Sequence, residues 1–113
     1  MKTEFEVMSS DGITVYVVSF ELDSGKLHIY CNCQAGSRGN WCKHKKQLAL
    51  GDLSGLRNES QSSEMPKVLE WVRNSKLTQF ISEMQVAEDE MQKAKARIDR
   101  AKKELEKAAR EGA

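Results

Sequence analysis

Three cysteines and a histidine stand as Cys31-Asn32-Cys33 and Cys42-Lys43-His44, a spacing of C-x-C-x₈-C-x-H that uses every cysteine of the chain. Thiolate and imidazole are the donors that Zn²⁺ takes, and four of them close its tetrahedral shell. A closed shell leaves no position for water or substrate, so a zinc held by Cys31, Cys33, Cys42 and His44 is structural, one per chain. Two other readings use the same residues. In one, three cysteines pack in a core beside an unrelated histidine. In the other, one thiol is a nucleophile activated by histidine, which has no need of the second cysteine of Cys-x-Cys. Disulfide pairing fits worse, because three cysteines leave one over. All four donors fall within 14 residues, and that clustering favours the metal.

The elements around the motif must bring its two halves together. Residues 3–8 alternate polar and apolar, as a half-buried strand does. Asp11-Gly12 is a hairpin-turn signal, and Ile13 to Leu22 reads as a second, longer strand. Asp23 to Lys26 is a further turn, and Leu27 to Tyr30 is a third strand that runs into Cys31. A bend at Asn32 is needed, since alternate side chains on a straight strand stand too far apart to share one ion. Gln34 to Trp41 has loop composition, with Gly36 and Gly39. From Cys42 the pattern is helical, with Gly51 as its C-terminal stop. His44 should have an outer-shell acceptor for its second ring nitrogen. His28 falls on the polar face of the third strand and is not needed as a ligand.

The strand ending in Tyr30, the glycine-containing loop and the Cys42-Lys43-His44 sequence resemble the SWIM-type zinc finger over about residues 13–51. The resemblance implies a ββα-like module that binds DNA or protein, with Cys31, Cys33, Cys42 and His44 as its zinc ligands. Arg38, Lys43, Lys45 and Lys46 cluster beside this site with Trp41 among them. Four cations and an indole would hold phosphates and stack on a base. The alternative is that the lysines are solvated and Trp41 covers the zinc or packs on the meander.

The formal charge of the 113-residue chain is +1, which excludes a chain-wide electrostatic grip on nucleic acid. No run of 18 apolar residues is present, so no membrane span is expected. The first residues lack a hydrophobic signal segment, and cysteine use fits a reducing compartment, so a cytoplasmic location is expected. No acid pair, phosphate loop or Ser-His-Asp arrangement is recognisable, so no enzymatic activity is expected.

The C-terminal segment carries an unbroken heptad. Leu77, Met84, Met91, Ile98 and Leu105 form one seam, and Phe80, Ala87, Ala94, Ala101 and Ala108 the other. Five heptads favour a coiled coil. Small alanines let helices approach closely. Glu83, Glu88, Asp89 and Glu90 precede Lys93, Lys95, Arg97, Arg100, Lys102 and Lys103, so an antiparallel pair of copies sets acid beside base. The seam could instead dock on a different protein of a larger complex, or the helix could stand alone with its basic half on nucleic acid.

The sequence therefore predicts an α+β chain. Residues 1–57 form a small antiparallel β meander plus zinc finger, and 58–65 a linker. Residues 66–113 form a helical arm, with a short helix over 66–74 and a long one over 76–110. Its expected role is that of a zinc-stapled DNA-binding accessory protein that dimerises through the long helix, or of a protein-interaction adaptor.

Overall fold

The computed structural model describes residues 1–112. It is an α+β fold, with a three-stranded antiparallel sheet, short helices and a long C-terminal helix. The chain divides into two units, Met1–Thr78 and a second that begins at Gln79.

Strands β1 (Lys2–Met8), β2 (Val15–Asp23) and β3 (Lys26–Cys31) form a meander in the order β1-β2-β3. Register sets Phe5 opposite Val18 and Val18 opposite Cys31, so the first cysteine ends a row of core residues. Strand periodicity puts Thr3, Phe5, Val7, Val18, Phe20, Leu27 and Cys31 on one buried face. Phe5 and Phe20 meet edge to face at 5.8 Å. Helices α1 (Lys43–Ala49) and α2 (Met65–Arg73) complete the core with Leu48, Ala49, Met65, Val68, Trp71 and Val72.

Local chemistry sets the turns. Strand β2 starts at Val15 rather than Ile13 because the Asp11 carboxylate accepts the amides of Ile13 and Thr14, at 2.8 and 2.9 Å. Ser24 and Gly25 both have positive φ, 51° and 77°, the two-residue hairpin geometry that matches strand twist. Gly51 (φ 82°) donates its N–H to the Leu48 carbonyl and ends α1.

Residues 58–65, expected as a linker, carry a 3-10 turn over Glu59–Glu64. Asn58 Oδ1 starts it by accepting the Ser60 N–H at 3.0 Å. The stretch lies along β1: Gln61 Oε1 accepts the Glu6 N–H at 2.9 Å, and Arg57 N–H donates to the Glu6 carbonyl at 3.0 Å. A strand edge needs such partners, and side chains that serve backbone amides show no apolar period. Helix α2 correspondingly begins at Met65, which is buried.

Helix α3 (Leu77–Glu111) is continuous over 35 residues and has no buried residue. No helix among the described residues is long and apolar enough to cross a membrane.

Candidate metal centre

Three elements deliver the four donors. Cys31 is the last residue of β3. Beyond it the strand bends at Asn32, whose own side chain takes over the ladder: Oδ1 accepts the Val17 N–H at 2.8 Å. Cys33 then enters a tight turn in which its Sγ accepts the Gly36 N–H at 3.2 Å and its carbonyl accepts the Ser37 N–H at 2.8 Å. Cys42 is the N-cap of α1, with its sulfur 3.5 Å from the Lys45 amide nitrogen. His44 lies in the first turn of that helix and is buried.

The donor atoms of Cys31, Cys33, Cys42 and His44 lie within 4.8 Å of one another, and all four residues are buried. His44 Nδ1 is 3.7 Å from Cys31 Sγ. A sulfur and a nitrogen on one tetrahedral zinc stand roughly 3.6 Å apart, from the usual Zn–S and Zn–N bond lengths. The cysteines are free of disulfides. The residues are positioned to hold one metal ion, and the donor set fits structural zinc.

Burial and hydrogen bonds shift the acidity of the donors. Burial pushes the Cys31 thiol up to about 12, so a metal must displace its proton. Burial also works against the Cys33 thiolate, but the Gly36 N–H and the neighbouring thiols outweigh it and hold its pKa below the ordinary value. Burial, helped by the Lys43 charge, lowers the pKa of His44, toward the neutral form a metal requires.

The outer-shell acceptor expected for His44 is not found. Nε2 is buried without a hydrogen-bond partner among the described residues. The ring stands against Tyr16, 5.2 Å between centroids. Tyr16 and Gly36 are the site residues that sequence reasoning missed. Gly36 was visible only as loop composition, and Tyr16 reaches the site through sheet register, which no local spacing encodes.

The basic cluster is only partly at the surface. Arg38 and Lys43 are exposed, Lys46 is half-buried, and Trp41 is 39% exposed. Lys45 is one of the expected phosphate contacts. It is 5% exposed, and its Nζ donates to the Asn40 carbonyl at 2.9 Å. His28 is exposed on the outer sheet face, stacked on Tyr30 at 6.0 Å. On α3, Leu77, Ala94 and Ala108 are half-buried, while Phe80, Met84, Ala87, Met91, Ile98, Ala101 and Leu105 are exposed.

The fold and the cluster together define a small α+β chain with a buried Cys₃His cluster positioned to hold a metal ion and a helix that fits a coiled coil. Comparison with family models, with curated proteins and with solved structures finds no match.

Proposed function

We propose that this chain is a non-catalytic, intracellular binding module. Zinc staples its N-terminal unit in the manner of a SWIM-type finger, and α3 pairs antiparallel with a second copy. The observation that carries the pairing is the exposed seam. Phe80, Met84, Met91, Ile98 and Leu105 are 46–71% exposed, and an apolar stripe of that length on a soluble helix calls for a partner.

Charge favours a second, reversed copy as that partner. Residues 77–93 carry four acidic side chains and one lysine, whereas 94–111 carry seven basic and four acidic ones. The two halves thus have net charges of −3 and +3. Antiparallel pairing sets these opposite each other, and parallel pairing sets like against like.

Light scattering tests the pairing. The wild type should have the mass of a dimer, and Ala94→Glu, which puts a charge in the alanine seam, that of a monomer. A monomeric wild type would overturn the reading and turn attention to docking on a different protein.

DNA binding is the second part of the proposal, favoured by the exposure of Arg38, Lys43 and Trp41 on one stretch of chain beside the metal centre. Two modules in a dimer would add avidity. Reversing charge at Arg38 and Lys43 should abolish salt-sensitive retention on duplex DNA, and retention that survives would count against it.

A further inference from the structure

Lys45 stands out among the cations of this chain. Lysine is almost never fully buried unless paired, yet Lys45 is 5% exposed. Its ammonium donates to one neutral group, the Asn40 carbonyl, at 2.9 Å. No carboxylate pairs with it among the described residues. The bond is part-buried, and a charge so poorly matched gains from a negative charge close by.

The metal centre supplies one. Lys45 directly follows His44, and its backbone nitrogen lies 3.5 Å from the Cys42 sulfur. Three thiolates, one neutral imidazole and Zn²⁺ sum to one net negative charge, held in a buried site where Coulomb forces are weakly screened. We infer that Lys45 is the built-in counter-cation of the Cys₃His centre, a positioning residue that sets its metal affinity rather than a ligand or a phosphate contact. The inference rests on the zinc reading.

Its role in the loop has to be separated from its charge. Nζ also pins Asn40, two residues before Cys42. Three variants of the full chain distinguish these. Lys45→Arg keeps charge and donor. Lys45→Gln keeps a donor and loses the charge. Lys45→Met keeps the apolar stem and loses both.

Zn²⁺ affinity is read by competition with a chromophoric chelator, and the ligand set by the thiolate-to-metal absorption of the Co²⁺-loaded protein. Wild type should bind one equivalent, and Lys45→Arg should bind within about twofold of it. Lys45→Met and Lys45→Gln should both bind at least about tenfold more weakly, the scale for removing a unit charge one side-chain length from the ion at an effective dielectric of about 20. Co²⁺ absorption per bound metal should be the same in all four. Lys45→Gln binding like wild type would make Lys45 a loop pin and overturn the inference, as would unchanged affinity in Lys45→Met or a weakened Lys45→Arg. A wild type that takes up no metal would overturn the zinc reading beneath it.

Discussion

At the scale of single residues, Gly36 shapes the cysteine cluster. Its amide donates to Cys33 Sγ. A Cβ at this position would stand 2.7 Å from both the Cβ and the carbonyl oxygen of Cys31. Neither can retreat, because Cys31 is locked in β3 by its pairing with Val18. Gly36→Ala should therefore destabilise the protein, loaded with the proposed zinc, by about 1–3 kcal/mol, the usual cost of overpacking, and weaken that binding. Urea unfolding of the loaded protein measures the first effect and chelator competition the second. Wild-type values in both would show that the loop relaxes without penalty. In the sequence Gly36 is one of two loop glycines, Gly36 and Gly39. Only tertiary structure separates the one excluded by space from Gly39, where positive φ is the constraint.

At the scale of elements, the β1–β2 turn shows how one carboxylate shapes a hairpin. Ser9 Oγ and the amides of Thr14 and Ile13 all donate to Asp11, and these bonds hold its carboxyl well below the usual carboxylate range. A depressed carboxylate contributes stability that is present above the unfolded pKa, about 4, and is lost as pH falls toward the folded value. Asp11→Ala should thus lower the thermal midpoint at pH 7, and the gap to wild type should narrow steadily between about pH 4 and 2. A gap that stayed constant with pH would mean that the turn owes little to the ionised form. Ile13 and Thr14 illustrate the limit of reading strands from composition. Their β-branched side chains favour extension, but their amides are taken by Asp11.

At the scale of the whole molecule, the chain joins a small sheet-based unit to a long helix. Strand β3, the Gly36 turn and α1 converge on the cysteine cluster. Seven residues are too few for a helix to persist without tertiary support, so α1 depends on that convergence. Chelation of the metal should melt α1, lower the unfolding midpoint of the N-terminal unit and speed amide exchange over residues 31–50. Most helical circular dichroism should remain, because α3 has more than twice the helical residues of α1 and α2 together. Loss of most of the helical signal on chelation would show that α3 depends on the metal-stapled unit.

Much of this was legible in the one-dimensional chain. The Cys-x-Cys and Cys-x-His pairs, the strand alternation and the five heptads are local or periodic patterns, and such patterns survive in sequence because strand and helix repeat with fixed periods. What the tertiary structure alone decided concerns places where distant segments meet. It put Tyr16 against His44, drew residues 57–61 along β1, and buried Lys45 in what looked like a row of surface cations. The four donors were recognisable because metal chemistry demands particular atoms at short spacings. Their surroundings were not, because burial and backbone pairing depend on neighbours that are near in space and remote along the chain.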